Sequence, residues 1–128
     1  MSDPAISKAA AQAGRAQAAG GRISRKFREL AGKSELGLVA YITAGDPSLD
    51  ATEKIVLAAA AAGADVIELG VPFSDPVADG PTIQRASERA LRAGTTLRGV
   101  IDLVRRIRLG SDVPLVLFSY FKIGRAHV

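Results

Sequence analysis

Two acidic side chains near the middle of the sequence, Glu68 and Asp79, are its best candidates for acid–base chemistry. Glu68 stands near the carboxyl end of a short apolar segment, and Asp79 follows in the loop that also contains Asp75. Paired carboxylates can move protons or stabilise a developing positive charge. The spacing also fits two structural roles. Glu68 could form a salt bridge or accept backbone hydrogen bonds, and Asp79, placed before Gly80-Pro81, could cap a helix.

The segment around Glu68 has the pattern of a buried strand. Strand alternation places Val66 and Glu68 on one face and Ile67 and Leu69 on the other. In a barrel, one of these faces meets the helices and the other lines the interior. A carboxylate there is costly unless it is paired or used, and the active sites of barrels lie at the carboxyl ends of their strands. Pattern alone leaves the functional and the structural account of Glu68 open.

The elements that must position these acids alternate between helices and strands. Apolar periodicity, turn residues and glycine stops define each of them. The expected order is helix, strand, helix, strand, helix, helix, strand, over Ile23–Ala31, Leu36–Thr43, Leu49 to a stop at Gly63, Asp65–Leu69, Pro81 to Gly94, Thr95 or Thr96 to Gly110, and Val113–Phe118. Ser48 or Asp46 is the expected cap of the second helix.

This alternation predicts an α/β protein built from parallel βα units, and the continuous apolar strands predict burial on both faces of the sheet. An open doubly wound sheet and a closed barrel both satisfy the pattern. No Gly-x-Gly-x-x-Gly follows the first strand, which disfavours a dinucleotide-binding Rossmann domain. The pattern itself does not choose between the two architectures.

Composition and charge exclude several classes of function. Of the residues, 48% are apolar and 23% charged, as in ordinary globular proteins, and no apolar run approaches the roughly 18 residues of a membrane span. The net charge of +4 lies mainly in the ends of the chain, because residues 22–121 carry 13 basic and 12 acidic side chains. We therefore expect neither nucleic-acid nor membrane binding. The absence of cysteine excludes disulfides and thiolate chemistry, and it fits the cytoplasmic location that we expect.

Residues 1–21 form a separate region, rich in alanine, glutamine and glycine and without an apolar stripe. This composition predicts a flexible extension rather than a secretory signal. The scarcity of acids also fits an organelle transit peptide, which we consider the weaker alternative.

The loop after the second strand belongs to a longer signature. The sequence Ile-Glu-Leu-Gly-Val-Pro-Phe-Ser-Asp-Pro-Val-Ala-Asp-Gly occupies residues 67–80. It is preceded by Tyr-Ile-Thr-Ala-Gly-Asp-Pro at 41–47 and Ala-Gly-Ala-Asp at 62–65, and it is followed by Pro-Thr-Ile-Gln at 81–84. In these motifs, colinear from about Phe27 to Phe121, the chain resembles the tryptophan synthase alpha family. The resemblance implies that residues 22–121 form the N-terminal part, about three βα units, of a (β/α)8 TIM barrel.

The resemblance also implies a reaction and the residues that perform it. Members of the family cleave indole-3-glycerol phosphate to indole and glyceraldehyde 3-phosphate, a retro-aldol reaction that needs no cofactor and no metal. Glu68 occupies the position of the acid–base that protonates indole C3, and Asp79 that of the carboxylate that holds the indole N–H. Tyr41 and Thr43, which share one face of the first strand, are expected to line the indole pocket.

A partner chain follows from the same resemblance. The family passes indole to a tryptophan synthase beta chain, where pyridoxal phosphate joins it to serine, within an alpha2-beta2 heterotetramer. Asp75 and Pro76 lie where the family's loop meets that chain. Pyridoxal phosphate is therefore expected only in the partner.

Two features set this chain apart from the family pattern. A barrel of this kind needs roughly 250 residues, so we expect the later strands, the phosphate-binding loops and the mobile loop that closes over the substrate to lie outside this sequence. After Phe121 the family continues with Asn-Pro, whereas residues 122–128 read Lys-Ile-Gly-Arg-Ala-His-Val. This heptapeptide resembles one reading frame of a common sequencing-library adapter. We therefore expect a non-native tail, with a divergent natural terminus as the alternative, and assign no role to His127.

Three hypotheses about function remain open. The first is a tryptophan synthase alpha subunit that is truncated here and inactive as it stands. The second is another phosphate-substrate TIM-barrel enzyme, such as one that catalyses a neighbouring step of tryptophan biosynthesis. The third is a non-catalytic polypeptide that at most binds the beta chain through the loop around Asp75 and Pro76.

Overall fold

The computed structural model describes residues 20–121, so most of the expected extension (1–19) and the expected tail (122–128) lie outside the described residues. The chain divides into two compact units, with the boundary between Leu36 and Gly37. Within the described residues all seven expected elements are present, in the expected order. They are α1 (Arg22–Lys33), β1 (Val39–Thr43), α2 (Leu49–Ala61), β2 (Val66–Gly70), α3 (Pro81–Arg92), α4 (Leu97–Arg108) and β3 (Leu115–Phe118).

The first unit contains α1, which ends later than expected. We expected a stop before Gly32, but the helix continues through it to Lys33. One glycine costs a helix only about 1 kcal/mol relative to alanine, and the Lys33 ammonium pairs with Glu29 one turn earlier at 3.2 Å. The helix is terminated at its C-cap residue Ser34, which has a left-handed backbone conformation (φ 54°) and whose N–H donates to the Ala31 carbonyl.

The second unit is built on a parallel sheet of three strands in the order β1–β2–β3. The central strand, β2, pairs with β1 on one side and with β3 on the other. Glu68 lies opposite Tyr41 in β1 and opposite Val116 in β3. The strands follow one another in chain order across the sheet, as they do in the wall of a barrel.

One face of this sheet carries the core. Ile67 and Leu69 of β2 are fully buried and form one cluster with Val56 of α2 and with Leu103 and Ile107 of α4. Ile67 and Leu69 alternate along their strand, whereas Leu103 and Ile107 are one helical turn apart. The two periodicities bring these side chains together, so α2 and α4 cover the same face of the sheet.

The opposite face of the sheet is open among the described residues, so the expected burial on both faces holds for β2 but is wrong for β1 and β3, whose outer edges have no further strand beside them here. Tyr41 is 37% exposed and Phe118 is 52% exposed, and Val39 is exposed as well. Alternation and register place these side chains on the same face as Glu68 and Gly70. A segment of a barrel wall has this appearance, with helices on one face and a partly apolar, uncovered face on the other.

Hydroxyl side chains begin two of the helices. Of the two expected candidates for α2, Ser48 is the cap, and it accepts a hydrogen bond from the Ala51 N–H at 3.1 Å. Thr96, rather than Thr95, caps α4 in the same way. No helix between residues 20 and 121 is long and apolar enough to cross a membrane.

Two strands begin later than the apolar pattern predicted. We expected β1 from Leu36 and β3 from Val113, whereas the paired strands start at Val39 and Leu115. Leu36 is 97% exposed, and Pro114, which has no N–H, stands directly before β3. Apolar character marks a strand, but its ends depend on the pairing strand, which the local pattern does not contain.

Candidate active site

Glu68 lies near the carboxyl end of β2 on the open face of the sheet. Its side chain is half-buried, and within residues 20–121 its carboxylate forms no hydrogen bond and no ion pair. An acid that served only the fold would have a cation or a backbone N–H as its partner. The described part of the chain therefore gives no support to the salt-bridge account of Glu68, and its carboxylate is available on this face.

An aromatic layer lies beside Glu68. The Tyr41 side chain crosses over Gly70, where an added Cβ would come within 2.0 Å of the Tyr41 hydroxyl oxygen. Its ring meets Phe118 edge to face, with the ring centroids 6.3 Å apart. Glycine at position 70 thus makes room for an aromatic surface that extends from β1 to β3. Such a surface suits a flat, aromatic ligand.

Thr43 ends β1 opposite Gly70, on the same face as Tyr41. The shared face is the one that strand alternation predicted. Thr43 is only 8% exposed, so it is much less accessible than Tyr41. The role of both side chains in lining a pocket stays a prediction.

Asp79 does not cap α3, so the capping account of this residue is wrong. The N-cap residue is Gly80, and among the described residues no side-chain hydrogen bond caps this helix. The Asp79 carboxylate instead accepts a hydrogen bond from the Tyr120 hydroxyl at 3.2 Å. Its backbone carbonyl accepts one from the Gln84 side chain at 2.8 Å. The carboxylate therefore belongs to the junction between the loops that follow β2 and β3.

Tyr120, to which the sequence analysis assigned no role, joins these two loops. Its hydroxyl accepts from the Ala78 N–H at 3.0 Å and donates to Asp79, and its ring stacks on Phe73 with centroids 5.1 Å apart. Burial raises the pKa of the Tyr120 hydroxyl and the Asp79 carboxylate adds to that rise, so the hydroxyl keeps its proton at neutral pH. The sequence contained one weak signal for this contact. Tyr120 follows β3 and Asp79 follows β2, and the ends of neighbouring parallel strands meet at one edge of a sheet.

A second pair that the sequence did not reveal holds the loop after β1. Arg89 of α3 donates two hydrogen bonds to the Asp46 carboxylate, at 2.9 and 2.8 Å. These hydrogen bonds hold the pKa of Asp46 below its usual value. In the same loop Gly45 has a φ of 90°, and a Cβ there would overlap the Thr95 side chain. The path of this loop, next to Thr43, therefore requires glycine.

The stretch expected to meet a partner chain forms the outer part of the loop after β2. Asp75 is exposed, Pro76 is half-buried, and Val77 is 78% exposed. An open groove of about 510 Å³ lies between this loop and α3. Its walls are formed by Phe73, Ser74, Pro76, Pro81, Gln84, Arg85, Glu88, Leu91 and Arg92. The exposed apolar and acidic side chains fit a docking surface, and their contact with a partner stays a prediction.

The two candidate carboxylates thus lie toward the same end of the sheet, Glu68 in β2 and Asp79 in the loop that follows it. Within residues 20–121 no hydrogen bond joins them. No three His, Cys, Asp or Glu side chains of that range come together as a group that could hold a metal ion. The arrangement offers one acid beside an aromatic surface and a second acid oriented by a tyrosine.

Comparison with known proteins identifies the family. The family described as Tryptophan synthase alpha chain matches residues 27–124. The tryptophan synthase alpha chain of Citrifermentans bemidjiense is 58% identical over 100 residues, which are 78% of this chain and 38% of that relative. The alpha chain of Geobacter sulfurreducens has the same identity and coverage. This chain therefore spans about two fifths of the length of the curated relatives it matches.

Solved structures agree on the fold. Tryptophan synthase subunit alpha from Legionella pneumophila str. Paris matches 85% of this chain at 38% identity with a TM-score of 0.82, and the match covers 42% of that protein. A mutant alpha-subunit from Pyrococcus furiosus is 46% identical, with a TM-score of 0.66 over 70% of this chain and 37% of its own. These neighbours are TIM barrels, so the predicted N-terminal α/β portion of such a barrel is confirmed. The chain belongs to the tryptophan synthase alpha chain family, which is a family of lyases.

Proposed function

We propose that residues 22–121 supply both catalytic carboxylates of a tryptophan synthase alpha subunit, whose complete form cleaves indole-3-glycerol phosphate to indole and glyceraldehyde 3-phosphate. Glu68 carries this proposal. It has no partner within residues 20–121 and lies beside the aromatic rings of Tyr41 and Phe118. It also lies near the carboxyl end of a parallel strand, where barrel enzymes build their active sites.

The proposed reaction adds one proton and removes another. Protonation of indole C3 makes the ring cationic. Removal of the hydroxyl proton from the adjoining glycerol carbon then lets the bond between C3 and that carbon break, which leaves indole and an aldehyde. Because one proton enters and one leaves, substrate and products balance. A carboxyl group near both atoms can deliver the first proton and help to remove the second, which is the role we assign to Glu68.

Asp79 has a complementary role in this proposal. The charge of the protonated ring is shared with its nitrogen, so a fixed carboxylate that accepts the indole N–H stabilises the cation. The Asp79 side chain is not used to cap α3, and its carboxylate is held by the neutral hydroxyl of Tyr120. Tyr41 and Thr43 line the indole pocket, which their shared strand face supports.

The proposed partner is the tryptophan synthase beta chain, in an alpha2-beta2 heterotetramer. The loop containing Asp75 and Pro76 would contact it, and the exposure of Asp75 and Val77 supports that assignment. Pyridoxal phosphate belongs to the beta chain, and the alpha reaction uses no cofactor. The cytoplasmic location expected from the sequence is also part of this proposal.

The 128-residue chain is proposed to be inactive by itself. It spans 38% of the length of its Citrifermentans bemidjiense relative, and the face that carries Glu68 is open. In this family the phosphate-binding loops come from the last strands of the barrel. The same observations support the second candidate function, a non-catalytic polypeptide that at most binds the beta chain. Membership of the family leaves no support for a different phosphate-substrate barrel enzyme.

A chimera tests the proposal. Residues 1–121 are joined to the part of the Citrifermentans bemidjiense alpha chain that follows its matched region, a relative chosen for its 58% identity. We expect the chimera to release indole from indole-3-glycerol phosphate and the 128-residue chain to release none. The Glu68→Gln chimera controls for contaminating enzyme. A folded chimera that releases no indole would contradict the proposal.

A further inference from the structure

We propose that Tyr120 is a positioning residue of this active site, whose hydroxyl orients the Asp79 carboxylate so that one of its oxygens stays free to accept the indole N–H. This inference rests on the proposed function of Asp79. It adds to that function the group that sets the direction of the carboxylate.

The Tyr120 hydroxyl makes two hydrogen bonds with opposite roles. It accepts from the Ala78 N–H at 3.0 Å and donates to Asp79 Oδ2 at 3.2 Å. A phenolic hydroxyl has a single proton. Since the Ala78 N–H can only donate, the hydroxyl proton is directed to the carboxylate. The donation therefore has a fixed direction, across 41 residues of sequence.

The ring that carries this hydroxyl is itself held in place. It stacks on Phe73 with an interplanar angle of 26°. It also packs against the buried cluster of Ala44, Val71 and Val100, where the loops after β1 and β2 meet α4. The hydroxyl is thus presented from a packed position, and the side-chain entropy of Tyr120 is already lost before a ligand binds.

Asp79 has no other means of orienting its carboxylate among the described residues. Its N–H donates to the Pro76 carbonyl at 3.0 Å and its carbonyl accepts from Gln84, which fixes the backbone but not the rotation of the side chain. Tyr120 is the single donor to its carboxylate within residues 20–121. With Oδ2 occupied, Oδ1 remains for a ligand N–H.

The neutrality of the donor matters for the proposed chemistry. A lysine or arginine in the place of Tyr120 would also orient the carboxylate, but its positive charge would offset the negative charge that stabilises the cationic ring. A hydroxyl orients Asp79 and leaves that charge in full. Tyr120 therefore combines orientation with the electrostatics that the reaction needs.

A double-mutant cycle in the chimera tests this role. Tyr120→Phe keeps the stacked ring and removes both hydrogen bonds. We expect kcat/KM to fall by about 10- to 100-fold, the loss of a hydrogen bond to a charged group. In the Asp79→Ala background the same change should lower kcat/KM by less than about twofold, because the group to be positioned is gone.

Thr96→Ala is the matched control. It removes another hydrogen bond of a side-chain hydroxyl, the 3.1 Å bond that Thr96 accepts from the Gly99 N–H to cap α4, and Asp79 takes no part in that bond. We expect it to lower the melting temperature and leave kcat/KM unchanged. A hydrogen bond that only stabilises the fold should give this result both in the chimera with Asp79 and in the Asp79→Ala chimera.

A titration provides a readout that does not depend on activity. Tyrosine labelled with ¹³C at position 120 reports its ionisation by NMR. In Asp79→Ala the pKa of Tyr120 should fall, because the carboxylate no longer raises it, although burial still does. If the parent chimera is active but Asp79→Ala leaves the pKa of Tyr120 unchanged, the positioning role alone is overturned. Equal losses of kcat/KM from Tyr120→Phe with and without Asp79 would overturn it as well. A folded chimera that releases no indole would overturn the proposed function, and this role with it.

Discussion

At the residue scale, the acids that serve the fold differ visibly from those proposed to serve chemistry. Asp46 accepts two hydrogen bonds from a guanidinium, and Asp65 accepts one from a backbone N–H at 2.9 Å. Glu68 has no such partner within residues 20–121, and Asp79 has only a neutral one. A partly buried acid without a compensating partner costs stability. That cost is a physical reason to propose a role in catalysis for Glu68.

The first prediction concerns these two acids in the chimera. Glu68→Gln keeps the shape of the side chain but cannot carry the proton, so indole release should fall by at least about 10²-fold. Asp79→Asn can still accept from the indole N–H but cannot balance the charge of the ring, and it should cost roughly 3 to 4 kcal/mol of transition-state stabilisation. Steady-state indole release measures both effects.

Thermal melting of the same variants is the control for these losses. Neither acid is paired with a cation in the described residues, so neither change should lower the melting temperature by more than a few degrees. The structural accounts predict the reverse, with a lower melting temperature and turnover nearly intact. If Glu68→Gln retained more than about a tenth of the activity, its assignment as the acid–base would fail.

The second prediction concerns the aromatic layer. In Gly70→Ala the new Cβ would lie 2.0 Å from the Tyr41 hydroxyl oxygen and 2.6 Å from the ring carbon that bears it. The Tyr41 ring must therefore leave its place against Phe118. Since small misplacements at an active site are costly, we expect kcat/KM of the chimera to fall by about 10- to 100-fold.

Gly110→Ala is the matched control for that substitution, because nothing lies within 4 Å of the Cβ it would add. It should leave both activity and melting temperature unchanged. A crystal structure of the Gly70→Ala chimera would show whether the ring has moved. Full activity with a displaced ring would mean that Tyr41 does not line the pocket.

At the element scale, the number, type and order of helices and strands were predictable because two periodicities carry them. The ends were not. An exposed Leu36 continues the apolar run of β1 without a partner strand, and β2 is shifted by one residue to Val66–Gly70. Pairing between strands and capping of helices decide these ends, and both depend on groups distant in the sequence.

The same distinction applies to the candidate site. Alternation along β1 predicted that Tyr41 and Thr43 share a face, because neighbours on a strand are close in sequence. The contact of Tyr120 with Asp79 joins loops 41 residues apart, and that of Arg89 with Asp46 spans 43 residues. No local pattern contains such contacts. They depend on the sheet that brings the strand ends together.

The third prediction tests the Arg89–Asp46 pair as a link between two elements. The pKa of Asp46 is lower in the folded chain than its usual value of about 3.9. Its contribution to stability is therefore complete above that value and is lost as the pH falls through the folded pKa. In the chimera, Asp46→Asn should cost on the order of 1 kcal/mol at pH 7 and less below pH 4, since both side chains are partly exposed.

Urea unfolding of the chimera at several pH values measures this contribution. Asp102→Asn is the control, because Asp102 pairs with Arg105 on the exposed surface of one helix. That change should cost less than about 0.5 kcal/mol at any pH. An equal loss for Asp46→Asn and Asp102→Asn would show that the bidentate pair does not hold the loop after β1.

At the scale of the whole molecule, the second unit is a section of a structure that is stable when closed. Both β1 and β3 are edge strands within the described residues, and an unpaired edge offers its N–H and C=O groups to other chains. The face that a barrel would enclose exposes Tyr41 and Phe118. Closure would pair both edges and cover that face.

The fourth prediction follows for the 128-residue chain itself. Within residues 20–121, both edges of the sheet are unpaired and aromatic side chains are exposed to water. The main buried cluster of that range contains five fully buried side chains. We expect the purified chain to aggregate or to melt without a cooperative transition, as judged by size-exclusion chromatography and calorimetry. The chimera, which supplies the remaining strands, should be a soluble species with a single transition. A sharp, reversible melt of the 128-residue chain as a monomer would contradict this prediction. It would mean that the helix-covered face of the sheet stabilises this section without closure, and that the open face needs no barrel to cover it.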